Sequence, residues 1–262
     1  MKRILVMARV VWLDLLRRKD LYVMAILLLT LLFVLMSLNL FGLGAVVRYI
    51  LDVGLLMAWL FSLVLVVSLT ARQLPREESR GTIFPLLAKP LTRAELLLGK
   101  WLGSATASVF ATLAFYAVIV ALTALRGGAV NGPCLGQAFL LHGMALALVS
   151  AVALALSARM TYGAAASMTY VLCGAAFFVA PAVPELLVHE PGPSGNVLLA
   201  LYYALPHLDL FDLRQRLIHD WGPAPWADVV GIAVYGAVWT GLFLLLAWLA
   251  YRTKRFRRGA PE

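Results

Sequence analysis

The residues best equipped for chemistry lie outside the long apolar runs, in two places. Between 72 and 100 the chain reads RQLPREESRGTIFPLLAKPLTRAELLLGK, a mixture of bases, acids and a Gly-Lys pair. A lysine after a glycine can hold a nucleotide phosphate when it closes the loop G-x-x-x-x-G-K-S/T. Here Leu98-Gly99-Lys100 lacks the upstream glycine, is followed by Trp101 and enters an apolar run, so ATP binding within the chain is not expected. The second place, 184–227, holds His189, Glu190, His207, Asp209, Asp212, His219 and Asp220, all able to ligate metal. Without a tight H-x-H or H-x-x-x-H repeat they describe a solvated segment, and Cys134 and Cys173 form no thiol cluster that would favour a soft metal. Neither a metal site nor a catalytic residue is expected.

The apolar runs themselves are equally informative. No Lys, Arg, Asp or Glu occupies the middle of any of them, whereas ion-driven pumps and secondary transporters need ionisable groups at that depth. His142, one or two turns into its run, reads as an interface histidine rather than a proton relay.

Composition explains why such runs exist. Of the 262 residues, 63% are apolar and 13% charged, against about a quarter charged in a soluble domain. That leaves too little polar surface to cover a water-soluble globule, and lipid must be the solvent for much of the chain. The net charge of +9 could signal nucleic acid, but the bases lie outside the apolar runs, where anionic headgroups account for them. No nucleic-acid partner is expected.

The expected fold is therefore all-α, a polytopic membrane protein forming one transmembrane domain over 1–262. Six runs each supply the roughly 20 residues needed to cross the hydrocarbon: about 21–43, 53–71, 101–125, 135–157, 162–183 and 228–250. Residues 1–20 set Ile4, Leu5, Ala8, Val11, Trp12, Leu15 and Leu16 on one broad face, as in an interfacial helix. Arg17, Arg18 and Lys19 follow that mixed segment, and no cleavage pattern of a signal peptide is read there.

Six crossings place both termini on one side. With 72–100 and Arg159 on that side too, it collects all of the 22 Lys and Arg residues except Arg48, Arg126, Arg214 and Arg216. The opposite side receives Asp52, Glu185, Glu190, Asp209, Asp212, Asp220 and Asp228. The positive-inside bias then puts both termini in the cytoplasm of a cell membrane. Within lipid, close approach of backbones through small residues brings helices together. Gly143, Ala147, Ala151 and Ala155 form such a stripe, and Gly99-x-x-x-Gly103 a second motif.

Locally, the loop at 72–100 reads as two short elements. Pro75 suits the first turn of a helix with Glu77 and Glu78 near its positive end, and Ile83, Leu86 and Leu87 give an apolar face that stops at Lys89-Pro90. Thr92 and Glu95 then have the spacing of a capping box. So small an apolar-faced helix is not stable alone and must dock on its own bundle or on a soluble partner.

This loop resembles that of the membrane subunits of ABC-2 type ABC transporters, a family that includes the permease of the nitrous-oxide reductase maturation system. The matching residues are Arg76-Glu77, Gly81-Thr82-Ile83, Leu86-Leu87, Lys89-Pro90-Leu91, Arg93, Glu95 and Gly99-Lys100. The resemblance implies that the loop is a coupling helix fitting a cleft of a separate cytoplasmic ATPase, which would bind ATP and Mg2+. It also implies that 1–20 is an elbow helix, that a second permease copy or a paralogue faces this one, and that export is the direction of transport. Pro85 departs from the family pattern and removes a backbone donor where a continuous helix is implied.

The 184–227 segment is expected to carry an amphipathic helix on the outer leaflet. Asp209 would cap it, Leu210, Leu213 and Leu217 would line its apolar side, and Asp212 would pair with Arg216. The resemblance makes this segment a partial plug over the exit, and a partner on the outer side is left open. The competing function is a membrane scaffold for a maturation complex with no transport of its own. An ion-coupled transporter is disfavoured by the uncharged span centres.

Overall fold

The fold is described from a computed structural model, which gives residues 2–17, 19–37, 45–79, 92–189 and 193–254. Among them the chain is helical, without strands: α1 (Lys2–Leu16), α2 (Lys19–Ser37), α3 (Ala45–Ala71), α4 (Gln73–Ser79), α5 (Arg93–Leu125), α6 (Gly132–Ser157), α7 (Tyr162–Gly174), α8 (Val183–His189), α9 (Pro193–Ala204), α10 (Arg214–Ile218) and α11 (Trp226–Arg252). Leucine, alanine and valine dominate the long members, and a helix satisfies its own backbone where no water can.

Five stretches are long and apolar enough to cross a membrane: Val47–Ser79, Arg93–Leu125, Gly132–Ser157, Tyr162–Leu187 and Trp226–Arg252. The run expected as a span at 21–43 falls on α2, whose apolar stretch Tyr22–Leu31 is shorter, and its final residues lie outside those described. Five such stretches thus stand where six spans were expected.

Local sequence explains the boundaries. At α5 the Thr92 hydroxyl accepts from the Glu95 N–H at 3.2 Å while the Thr92 N–H donates to the Glu95 carboxylate at 2.9 Å, a complete capping box. At α6 the Asn131 side chain accepts from the Cys134 N–H, and Pro133 sits in the first turn where its missing donor costs nothing. The run through α7 does not keep one ladder. It widens to a π-turn at Ala175–Val179 and tightens to a 3-10 turn at Ala180–Ala182 before α8. Pro181, in that 3-10 turn, has no N–H to continue the ladder.

α6 is the hub, packed against α11 and against α3, α5 and α7. α1 lies along α5, and here the Gly99-x-x-x-Gly103 motif makes the close approach. A Cβ on Gly99 would fall 2.7 Å from Met7 Cβ, and one on Gly103 would fall 2.9 Å from the Ala8 backbone. The α6 stripe faces α5 less tightly, since a Cβ on Gly143 would meet Val109 at an ordinary 3.4 Å. Ala147 lends its carbonyl to the Trp101 indole at 2.9 Å, Ala151 is fully buried and Ala155 half-buried.

The 184–227 segment departs from expectation. Leu208, Phe211, Leu217 and Ile218 are buried against the long helices, while Leu210 is exposed, so the apolar side of 208–218 faces protein more than lipid. Asp209 lies inside a 3-10 turn (Leu208–Phe211) and caps nothing. Asp212 pairs with Arg214 at 2.7 Å instead of Arg216, because its backbone is extended (φ −92, ψ 98) and the helical four-residue spacing does not begin until Arg214. The segment is pinned at Gln137, whose amide donates to the Ala224 carbonyl at 2.9 Å and accepts from its N–H at 2.8 Å.

Candidate coupling site

α4 follows α3 after a single residue, Arg72, and so prolongs it rather than standing apart as a separate loop helix. Its three consecutive charged residues reach three different elements. Arg76 meets Asp14 of α1 at 3.4 Å, with both side chains well exposed, a pair worth little by itself. Glu77 meets Lys100 of α5 at 2.6 Å, with the lysine side chain only 6% exposed. Glu78 holds Lys254, just past α11, at 2.8 and 2.7 Å, and the same ammonium donates to the Ala158 carbonyl at 3.0 Å.

Arg93 supplies a second tie. Its guanidinium donates to the carbonyls of Tyr251, Arg252 and Lys254 at 2.8, 2.7 and 3.2 Å, at and just past the C-terminal end of α11, where helix carbonyls are short of intrahelical partners. Arg159 does similar work from the α6–α7 turn, donating to the Ala250 carbonyl at 2.9 Å and the Thr253 hydroxyl at 2.5 Å. Beneath these charges Leu74, Leu96, Leu97, Leu154, Ala158 and Tyr251 form a buried cluster. The ends of α3, α5, α6 and α11 therefore meet around α4. A cleft of about 730 Å³ opens between α4, the α6–α7 turn and Lys254.

Of the residues expected to couple, Arg76, Glu77, Arg93 and Glu95 are brought together here, Glu95 through the cap of α5. Gly81, Thr82, Ile83, Leu86, Leu87 and Pro90 lie outside the described residues, as do Pro85 and Lys89. Sequence reasoning did not anticipate Asp14, Lys100 or Lys254 as partners. The Gly99-Lys100 pair was the available signal for the second of these.

Above the site a line of hydroxyls joins the same helices. Ser104 donates toward the Lys100 carbonyl at 2.9 Å and lies 2.7 Å from Ser150, which in turn lies 3.3 Å from Thr70. Deeper still, His142 is fully buried and stacked on Trp59, with ring centres 4.1 Å apart and planes within 6°. Ser62 donates its proton to the Trp59 carbonyl at 3.0 Å, so its oxygen accepts from His142 Nε2 at 2.8 Å. Nδ1 then accepts from the Tyr116 hydroxyl at 3.2 Å. The neutral ring is satisfied on both sides and knits α3, α5 and α6 together.

On the far side of Trp59 an apolar cavity of about 300 Å³ lies between α3, α6 and α7, lined by Leu63, Tyr170, Cys173 and Phe177 among others. Arg214 closes it, lying 5.9 Å from the ring centres of both Trp59 and Phe177 while paired with Asp212. Among the described residues no group of His, Cys, Asp and Glu is placed to hold a metal ion. In the 184–227 segment, burial holds the Asp209 carboxyl above the usual carboxylate range; Asp212 adds to the rise, and backbone hydrogen bonds and His207 oppose it.

A bundle of apolar helices long enough to cross a bilayer, tied at one end by charges, defines an integral membrane protein. Residues 60–253 match the model of the ABC-2 family transporter proteins, and the chain belongs to that family. The family supplies the membrane component of ABC transporters, not the ATPase, and typically works with an ATPase partner. None of the curated proteins matches the chain.

Proposed function

We propose that the chain is the permease subunit of an ATP-binding-cassette exporter, coupling ATP hydrolysis by a separate cytoplasmic subunit to movement of a substrate across the cell membrane. The observation that carries the reading is the junction at α4. A segment whose consecutive charges hold α1, α5 and the end of α11 can hand a displacement imposed from outside to several spans at once. That is the requirement for a coupling element, and Arg76, Glu77, Arg93 and Glu95 fall in it, with Gly81, Thr82, Ile83, Leu86, Leu87 and Pro90 continuing it in sequence.

In this reading α2 completes a sixth crossing, both termini and the 72–100 loop face the cytoplasm, and two copies, or this chain and a paralogue, face each other. The ATPase binds ATP and Mg2+, and its closure draws the two α4 regions together. The apolar cavity between α3, α6 and α7 favours an amphiphilic, lipid-like substrate. Kinship with the nitrous-oxide reductase maturation permease rests on the loop motif alone and does not carry a metal substrate with it.

The test is gentle extraction of the chain from its own membrane, mass spectrometry of what co-purifies, and an ATPase assay. A soluble subunit with a phosphate-loop sequence and vanadate-sensitive activity is expected, with Gly81→Trp uncoupling hydrolysis while the bundle stays folded. Recovery of the chain alone, or with a partner that hydrolyses no ATP, would instead favour a scaffold.

A further inference from the structure

The cleft beside α4 has a charge balance that the coupling role does not require. Arg72, Arg76, Arg159 and Lys254 line it against one carboxylate, Glu78, and with Asp14 on Arg76 the cations still outnumber the acids by two. Lys254 offsets Glu78, giving its donors to both carboxylate oxygens and to the Ala158 carbonyl, so the acid does not bar an oxyanion from Arg159. Arg159 keeps its charge available, because both its described partners, the Ala250 carbonyl and the Thr253 hydroxyl, are neutral oxygens.

The level of the cleft is fixed by the helix ends. Arg72 follows the last residue of α3, Arg159 lies two residues past α6, Tyr162 begins α7 and Lys254 lies two residues past α11. Four helices stop or start around the cleft, where apolar stretches give way to charge, as at the level of lipid headgroups. On the rim Met160 and Tyr162 remain exposed, and the Arg72 guanidinium lies 5.1 Å from the Tyr162 ring centre. An aromatic ring at the interface beside forked cations suits a phosphodiester whose acyl chains continue into lipid. Basic pockets between membrane helices bind such headgroups, and about 730 Å³ lies within the size of ordinary ligand sites.

We propose that this cleft binds the headgroup of an anionic glycerophospholipid, its phosphate held by Arg159 with Arg72 beside it, so that a lipid bridges the α3–α4 junction and the α6–α7 turn. The inference rests on the topology proposed above only in assigning that lipid to the cytoplasmic leaflet. An acidic segment of a soluble partner is the other anion that could reach it, but the interfacial height and the Tyr162–Met160 rim favour lipid.

The test uses the full chain in mild detergent, titrated with phosphatidylglycerol or phosphatidylcholine, with retained lipid counted by native mass spectrometry. Thr161→Glu adds a carboxylate to the cleft wall and removes no hydrogen bond, since Thr161 makes no side-chain cap to α7. It should weaken phosphatidylglycerol retention about fivefold and leave phosphatidylcholine unchanged. Arg159→Gln, with an unchanged melting temperature as its control for folding, should act in the same direction. Equal retention by wild type and Thr161→Glu, equal loss of both lipids, or displacement by millimolar inorganic phosphate would overturn the assignment. So would unchanged lipid binding together with loss of a co-purifying ATPase, which would give the cleft to a protein segment. No ATPase is needed for the lipid measurement, so a negative result there leaves the transporter reading standing.

Discussion

The Lys100 ammonium lies 2.6 Å from the Glu77 carboxylate, with the two side chains 6% and 24% exposed, and this contact is the most shielded of those that join α4 to the bundle. Removing one member of a buried pair leaves the other charge desolvated, at a cost of roughly 3–5 kcal/mol. Lys100→Met alone should therefore lower the melting temperature in detergent markedly, and the swap Glu77→Lys with Lys100→Glu should recover part of it. A single variant that melts like wild type would show that the pair is not what fixes α4.

The two glycine motifs should respond differently to the same change. Gly103→Ala places a Cβ 2.8 Å from Val11 Cβ and 2.9 Å from Ala8 Cα, and overpacking of this kind costs ~1–3 kcal/mol. Gly143→Ala meets nothing closer than 3.4 Å and should fall within about 0.5 kcal/mol of wild type, as substitutions away from special features do. Cysteine cross-linking between α1 and α5, efficient in wild type and lost in Gly103→Ala, distinguishes detachment of α1 from global unfolding.

His142→Leu withdraws the shared partner of Ser62 and Tyr116. A buried hydroxyl left without a partner costs ~1–3 kcal/mol, so the variant should unfold at lower temperature by an amount that Tyr116→Phe in the same chain partly relieves. Additive losses in that double-mutant cycle would mean that the two residues do not act through one contact.

Stability around Asp209 should fall as pH rises. The folded state holds the Asp209 proton more tightly than the unfolded chain does, because burial raises the carboxyl above its ordinary 3.8. The gain is fully present below that value and is lost as pH rises through the folded-state value. Melting curves at successive pH values should show this slope in wild type, superimposed on other titrations, and a flatter one in Asp209→Asn. Identical slopes would remove Asp209 from the account.

Gln137→Leu should loosen the segment before α11 without disturbing the bundle, since it deletes both hydrogen bonds to Ala224. Limited proteolysis should then cut near 219–225, where wild type resists. Cleavage at equal rates in the two would place the restraint elsewhere.

What could be read in advance divides by distance along the chain. The Thr92–Glu95 cap and the Asn131 cap close over three residues, so their partners are fixed by spacing alone. Ser62 and His142 are 80 residues apart; their meeting depends on how α3 and α6 are rotated about their axes, which near-uniform apolar runs leave unspecified. The same limit explains the 208–218 segment. A helical wheel pairs Asp212 with Arg216 only if 212 is helical, and burial of Leu208 and Phe211 under the long helices forces an extended link there instead. For the coupling site, Glu77 and Lys100 were both legible as motif residues, yet their contact spans 23 positions and depends on α4 extending α3.

The grip of Arg93 on the carbonyls of Tyr251, Arg252 and Lys254 also sets an order of events during synthesis. Those acceptors are 158 to 161 residues downstream, so the guanidinium at the head of α5 cannot meet them until the ribosome has passed Lys254. The helices before α5 can insert early, but the end of the bundle where α4 is held closes late, and a ribosome stalled before Tyr251 would leave it open.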